Sequence, residues 1–328
     1  MLKVYVMQDK AIVPISIEDA KTCMPRLVWI DLLSPTAEEE NLVENLLATS
    51  IPTRDEMHEI ELSSRLYQEN GSVYATATIL TQADTTQPEA HDITFVLSNH
   101  WLITVRYSDP QPFKVFLGRS SITSSETYRG NAVLVGLMEA IVDRTADILE
   151  NVGHSIDEMT KKIFRSHIQG ADERAKEKPE LDEMLRQVGI KGDLISKTRE
   201  SMISINRLLG FISQTSYFKA GSEEYNRVQS ILRDIQALSD HASFLSNKVN
   251  FILDAILGMI SIEQNAIIKI FSVAAVVFLP PTLVASIYGM NFSIMPELKW
   301  NLGYPFAIVL MILSAYLPYK FFKSKGWL

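Results

Sequence analysis

The sequence predicts a mixed α/β domain that leads into a long helical stalk and ends in two transmembrane helices. Three observations carry that reading. Short β-prone runs alternate with helical ones across residues 1–110. An apolar stripe at spacings of three and four then runs from Val228 to Met259. Finally, Ile270 to Pro296 holds no Asp, Glu, His or Lys, and a second apolar segment covers Asn301 to Tyr319. Each of these last two runs reaches the roughly 20 residues needed to cross a hydrocarbon core about 30 Å thick.

The composition narrows the function classes. A chain of 328 residues, 47% of them hydrophobic, is long enough for one sizeable soluble core beside a membrane pair. The net charge of −8, with no basic stripe interleaved with aromatics, excludes a nucleic-acid binder. Acidic residues crowd the first 265 positions, whereas the tail carries Lys320, Lys323 and Lys325. The start, MLKVYVMQDK, has no apolar run of signal-peptide length, and two spans return the chain to one side. The tail lysines, with Lys269 at the entry of the first span, place that side in the cytoplasm by the positive-inside rule. The single cysteine, Cys23, leaves no disulfide framework and no paired-cysteine metal site, and reads as a small, at least half-buried residue.

Taken in order, Val4–Met7, Ile12–Ile17 and Leu27–Leu32 read as strands. Ser34 as N-cap with Pro35 at the first helical position opens an acidic amphipathic helix. Asp55 to Leu66 reads as another helix. Val73–Thr81 returns to strand, and Asp92–Leu97 and Trp101–Tyr107 form a hairpin across Ser98-Asn99-His100. No glycine loop for phosphate and no nucleophile elbow occurs, so this domain reads as regulatory or scaffolding rather than enzymatic. Helical periodicity then sets in from Asn131 to Phe164, breaks over Gly170 to Pro179, and resumes from Glu180 to about Phe218. His154 and His167 stand too far apart for one helical metal face.

The third long helix is the informative one. Val228, Ile231, Ile235, Leu238, Ala242, Leu245, Val249, Ile252, Ile256 and Met259 keep a sustained heptad stripe, the mark of a helix packed lengthwise on others. No proline interrupts before Pro280, so at 1.5 Å per residue the rod extends roughly 80 Å or more. A second stripe lies about 200° round the same helix. It comprises Asp254, Gly258, Ser261, Asn265, Ile268, Ser272, Ala275, Leu279, Thr282, Ser286 and Gly289, and holds almost every polar or tiny residue of the charge-free segment. In lipid, sparse polar groups turn inward, and only a ring of copies supplies a cavity for them to line. The plainer alternative is that Ser and Thr bond back to their own helix and small residues ease helix packing. Asn265 fits that alternative least, because its amide has four hydrogen-bonding positions to satisfy. Asp254 and Ser261 would ring a vestibule, and Leu279 beside Pro280-Pro281 would form an apolar constriction able to close by dewetting. Trp300, Tyr304 and Trp327 read as membrane-interface anchors.

The first span closes on Tyr288-Gly289-Met290-Asn291-Phe292, followed by Met295-Pro296-Glu297-Leu298 and preceded by EQNAIIKIFSVAAVVFLPPTLVAS. In position, context and two-helix ending these residues resemble the CorA family of magnesium transporters, closely over residues 250–328 and in layout elsewhere. The resemblance implies a cytoplasmic α/β domain (1–125), an antiparallel helix pair (126–220) and a stalk continuing into the first span (221–289). An extracytoplasmic loop (290–302), a second span (303–322) and a basic tail (323–328) follow. It also implies a funnel-shaped homopentamer in the inner membrane, both termini cytoplasmic, that passes Mg2+, with Co2+ and Ni2+, down its electrochemical gradient. Cytosolic Mg2+ held between protomers would close it. The partners implied are copies of the chain, lipid and divalent cations, with no organic cofactor and no nucleic acid.

Mg2+ gives up water reluctantly and favours oxygen ligands, so a hydrated ion would be held through its waters by neutral oxygens. Asn291 amides helped by Gly289 carbonyls would supply them; Met290 is no ligand for a hard ion and would pack the turn, while Gly289 would permit a tight backbone turn. Glu297 would concentrate cations near the entrance, or be a solvated loop carboxylate, and Lys299 beside it opposes the first role. For the regulatory ion the candidates are Asp234 on the long helix and Asp84, Glu89 or Asp92 on the α/β domain. Two other readings stay open: a ZntB-like, proton-coupled zinc importer, which shares the Gly-Met-Asn turn, and a membrane-tethered coiled-coil scaffold without a pore. The absence of an acid in the first span disfavours proton coupling, and the scaffold leaves the polar stripe without a purpose.

Overall fold

A seven-stranded sheet in the order β2-β1-β3-β7-β6-β5-β4 organises the N-terminal part of the chain. Its strands are β1 (Leu2–Gln8), β2 (Ala11–Ile15), β3 (Leu27–Leu33), β4 (Leu66–Glu69), β5 (Ser72–Thr81), β6 (Glu89–Ser98) and β7 (Trp101–Arg106). The computed structural model describes residues 1–8, 11–85, 87–98, 100–119, 129–168, 181–291 and 295–325, without the side chains of 165–168, 297 and 298. Neighbouring strands run antiparallel except β3 and β7, which pair in parallel from Trp29↔Leu102 to Leu33↔Arg106. These two central strands are buried almost throughout, which is why LVWIDLL and WLITVR read as near-continuous apolar runs rather than alternating ones.

The polar residues in that centre form one network. The Asp31 carboxylate accepts from Arg106 Nε at 2.9 Å, Arg106 Nη2 at 2.8 Å and the Thr104 hydroxyl at 2.8 Å. Thr104 in turn accepts from Trp29 Nε1 at 3.0 Å, and Arg106 Nη1 reaches the Ser108 carbonyl and Asp109. Burial alone would lower the Arg106 pKa, but Asp31 and Asp109 more than offset it and hold the guanidinium charged.

Nine α-helices flank and follow the sheet among the described residues: α1 (Ile17–Ala20), α2 (Ala37–Leu47), α3 (Arg54–Met57), α4 (Leu62–Arg65), α5 (Gln111–Arg119), α6 (Gly130–Ile168), α7 (Leu181–Ile212), α8 (Glu223–Tyr288) and α9 (Gly303–Ser324). The start of α2 departs from the sequence reading. Thr36, not Ser34, is the N-cap, in a full capping box with Glu39, while Ser34 takes a left-handed φ of 46° at the exit from β3. The helix expected over 55–66 is instead α3 and α4, and Leu66 opens β4, whose pairing with β5 outweighs local helical pattern. Helix α5 was not foreseen; its Phe113 and Phe116 pack on Trp29 with ring centroids 6.2 and 5.8 Å away. Helix α7 stops at Ile212, short of Phe218, where the Ser213 and Thr215 hydroxyls bond back to Gly210 and Ile212 carbonyls. Asn99, the 170–179 break and Trp327 lie outside the described residues.

Helices α6 and α7 lie on the sheet, α6 against β3, β6 and β7, and α7 against β5. The start of α6 approaches β7 so closely that a Cβ at Gly130 would stand 2.3 Å from the Trp101 carbonyl carbon. The heptad stripe of α8 is buried as its spacing predicts: Val228, Ile231, Ile235, Ala242, Leu245, Val249, Ile252 and Ile256 are each under 9% exposed, and Leu238 and Met259 are half-buried. Leu245 and Val249 lie over Gly153 of α6 and Gly192 of α7, and Arg227 makes a two-pronged pair with Glu139 at 2.6 and 2.8 Å. The described residues divide into two compact units, Met1–Leu253 and Asp254–Leu328, and the boundary falls inside α8.

Candidate functional site

The second unit holds the apolar end of α8 and all of α9, the two helices long and apolar enough to cross a membrane. Only 6% and 0% of their most apolar windows are buried, which separates them from core helices of a soluble protein. From Ile270 to Tyr288 of α8 the least exposed side chains are Val273, Ala274, Val277, Pro280, Pro281, Val284 and Tyr288, all on one side. On α9 the buried positions are Gly303 and Ala307, small residues that admit close helix approach.

The opposite side of α8 carries the second stripe. Asp254, Gly258, Ser261, Asn265, Ile268, Ser272, Ala275, Leu279, Thr282, Ser286 and Gly289 are all exposed, Ile268 at 60% and Leu279 at 65%. Exposure does not single this face out, since Phe271 and Phe278 are each 70% exposed. Chemistry does: the flanks of the span are hydrocarbon, whereas the stripe sets hydroxyls and an amide among small residues.

Helix α8 continues through Pro280 and Pro281 as far as Tyr288. Each proline lacks an N–H, so the carbonyls of Val276 and Val277 lose their usual donors four residues on. The Thr282 hydroxyl donates to the Phe278 carbonyl at 2.7 Å, the back-bond that the plainer reading of the stripe anticipates. That bond commits the proton of Thr282 and leaves its oxygen lone pairs as acceptors. Waters around a cation turn their hydrogens outward, so acceptors are what a hydrated ion meets best.

At the end of the span, Gly289 N–H bonds the Ala285 carbonyl at 2.9 Å and Met290 N–H bonds that of Ile287 at 3.3 Å. Gly289 is not in the left-handed region, so turn freedom is not its reason. A Cβ there would lie 3.1 Å from the Ala285 carbonyl oxygen, a tight contact that the end of the helix would have to relieve by a few tenths of an ångström. Met290 is 48% exposed. Asn291 is exposed, Phe292 lies outside the described residues, and so does the Glu297 side chain. Beyond the loop, Trp300 packs on Phe306 at 5.7 Å; Trp300 and Tyr304 are 51% and 80% exposed, as membrane-interface anchors would be.

The four regulatory candidates are not assembled by one chain. Asp84 is held by Arg144 at 2.6 and 2.7 Å, and Glu89 lies 3.2 Å from Gln82 Nε2 and 3.5 Å from His91. Asp92 bonds Arg65 and Thr78, each at 2.7 Å, and His58 at 2.9 Å. Burial would raise the Asp92 carboxyl, but Thr78, Arg65 and His58 together hold it below its ordinary value. Asp234 is exposed on α8. Among the described residues no three His, Cys, Asp or Glu side chains converge to hold a metal ion. Arg65, His58 and Arg144 escaped the sequence reading because they come from 27 to 60 residues away, with no local spacing to announce them.

Comparison with known proteins adds independent findings. The family described as CorA-like Mg2+ transporter protein matches residues 25–324. A magnesium transport protein CorA of Escherichia coli is 36% identical over 330 residues, covering 100% of both chains. The complete structure of the CorA magnesium transporter from Methanocaldococcus jannaschii superposes with a TM-score of 0.74 over 100% of this chain and 99% of that one, at 17% identity. The cytoplasmic domain of ZntB from Vibrio parahaemolyticus covers 79% of this chain, with a TM-score of 0.55 and 8% identity over 97% of its own length. The last two likenesses concern the fold alone.

Proposed function

Because this chain belongs to the CorA-like Mg2+ transporter family, we propose that the oxygen-bearing stripe of α8 lines its ion passage and that Gly289-Met290-Asn291 forms the entrance filter. Copies of the chain gather around an axis as a homopentamer, each contributing Asn265, Ile268, Ser272, Ala275, Leu279, Thr282 and Ser286 to the wall, with Asp254 and Ser261 at the vestibule. The observation that carries this is the placement of that face: it lies opposite the shielded side of α8 and gathers the hydroxyls and the amide of the span. Among the described residues only Thr282 is partnered, through its proton to the Phe278 carbonyl, so the oxygens keep acceptor capacity for water.

The ion enters with its water. Asn291 amide oxygens, with Gly289 carbonyls, accept from the hydration shell, and Thr282 offers acceptor lone pairs further along. Leu279 supplies an apolar ring that breaks the water column when the passage narrows. With no acid from Ile270 to Pro296, flux follows the electrochemical gradient and carries Co2+ and Ni2+ beside Mg2+. Cytosolic Mg2+ closes the passage by bridging Asp234 of one copy to Asp84, Glu89 or Asp92 of another, and Asp84 or Asp92 exchanges its arginine for the ion when it does so. The chain sits in the inner membrane with both termini in the cytoplasm, and Glu297 draws cations toward the outer mouth.

Flux of Mg2+, Co2+, Ni2+ and Zn2+ into liposomes, with and without a pH gradient, tests the reading. Wild-type protein passes Mg2+ irrespective of the pH gradient, and Asn291→Ala loses most of that flux. Undiminished flux through Asn291→Ala removes the filter, and Zn2+ uptake driven by a proton gradient replaces the reading with the zinc importer.

A further inference from the structure

A groove of about 600 Å3 lies between α7, β5 and the segment holding α4, within the first unit. That is the size of sites that hold nucleotide-sized ligands. Three arginines line it, Arg65, Arg199 and Arg207, against a single acid, Glu200. Asp92 offsets Arg65, so Arg199 and Arg207 against Glu200 leave the groove net positive in a chain of net charge −8, and a concave basic surface focuses field on anions.

The arginines differ in what they are free to do. Arg65 is fixed in place: Nη2 donates to Asp92 at 2.7 Å and to the Thr78 hydroxyl at 2.9 Å, and its side chain is only 16% exposed. Its Nε and Nη1 have no protein acceptor among the described residues. Arg199 and Arg207 lie two turns apart on the outer face of α7, about 12 Å along the helix. Neither has a carboxylate partner among the described residues. Between them Ile203 is 46% exposed, and across the groove Leu62 is 51% exposed, so the floor offers an apolar surface beside the guanidiniums. Ser204 lies there too, its oxygen accepting from the Thr78 N–H at 2.9 Å, which leaves its hydroxyl proton to donate.

We propose that this groove binds a nucleotide-sized organic phosphate, the phosphoryl oxygens on Arg199 and Arg207 with a single N–H bond from Arg65, and the organic part on Ile203 and Leu62. Arg199 and Arg207 can take phosphates through paired N–H bonds, whereas Arg65, its Nη2 committed to Asp92 and Thr78, adds one N–H bond and loses little freedom on binding. A polyphosphate that has Mg2+ bound carries less negative charge than the free form. The groove therefore prefers the metal-free nucleotide, the form that accumulates when Mg2+ is scarce. The binding site goes beyond the conduction reading; only its use as a gauge of Mg2+ rests on that reading.

The test is a calorimetric titration of the full-length protein, stripped of metal with EDTA, using ATP, ADP, AMP and pyrophosphate. Saturable binding is expected in the order ATP, ADP, AMP, with pyrophosphate weaker than ATP, and addition of Mg2+ equimolar with ATP weakens the binding. R199A/R207A changes two exposed side chains, so folding is preserved, and it weakens ATP binding by at least about tenfold. No saturable binding, equal affinity in R199A/R207A, or pyrophosphate binding as well as ATP each overturns the proposal. Because the readout is binding without flux, its failure leaves the conduction reading untouched, and loss of the filter assignment leaves this one untouched.

Discussion

If α8 turns its oxygen-bearing side to a water-filled passage, then cysteines placed round one segment of it should respond with a helical period. The natural thiol is removed first, as Cys23→Ser, and single cysteines are then introduced at Ala275, Leu279 and Ser286 on the stripe and at Val273, Val277 and Val284 on the shielded side. A thiol reagent that leaves one positive charge is applied to protein in liposomes, and Mg2+ flux is followed before and after. On the stripe the added charge sits about 5 Å from the ion path, whereas on the far side the helix, 10–12 Å across, adds roughly another 10 Å. Against a doubly charged ion in water these distances correspond to about 1.7 and 0.6 kcal/mol of repulsion. The difference of about 1.1 kcal/mol slows ion entry roughly sixfold per modified copy, and a ring of copies compounds it. Val273 is 7% exposed, so its cysteine should also react slowly where the stripe positions react fast. Equal block at Val277 and Leu279, or block confined to the shielded side, would refute the assignment of faces.

Three further outcomes follow from the local structure. Asp31→Ala strands the Arg106 guanidinium, whose pairing side chains are only 5% and 3% exposed; about 3–5 kcal/mol of stability should be lost. At 2–4 °C per kcal/mol for a unit of this size, the thermal midpoint falls by roughly 6–20 °C, and Asp31→Asn falls by less; an unchanged midpoint would mean the pair contributes nothing. Asp92 has its carboxyl below the ordinary value, so the unfolded chain takes up the proton first as pH falls. Its contribution to stability is complete above about pH 4 and disappears as pH drops through the folded value, so Asp92→Asn should flatten the acid limb of the stability curve below about pH 4. A limb of unchanged slope speaks against the Arg65–Thr78–His58 cluster. Gly289→Ala forces its Cβ to within 3.1 Å of the Ala285 carbonyl, and the end of α8 must give by a few tenths of an ångström. Flux should fall while stability changes by no more than about 1 kcal/mol, and full flux would show that the position of Asn291 tolerates the shift.

The membrane pair and the stalk were legible in the sequence because both signals are local. The buried face of α8 follows from the spacing of Val228 to Met259 along one helix, and the spans follow from a run without charge. The Gly-Met-Asn turn carried the family for a similar reason, being contiguous in the chain. Where competing local patterns were close in strength, tertiary pairing decided. Leu62 to Leu66 reads as the end of a helix until Leu66↔Ala75 pairing draws the chain into β4. Capping likewise depended on a single φ, since the left-handed Ser34 moved the N-cap to Thr36.

By itself the sequence determined what lies within one element: the heptad stripe, the two spans, and the side of α8 on which the oxygens fall, because helix geometry converts spacing into direction. Only the tertiary structure decided which distant groups meet. The parallel joint of β3 and β7 brings Arg106 to Asp31 across 75 residues, and Asp92 finds Arg65, Thr78 and His58 rather than solvent. The physical reason is that a charge is settled by whatever the fold sets beside it, and no periodicity along the chain encodes that neighbour.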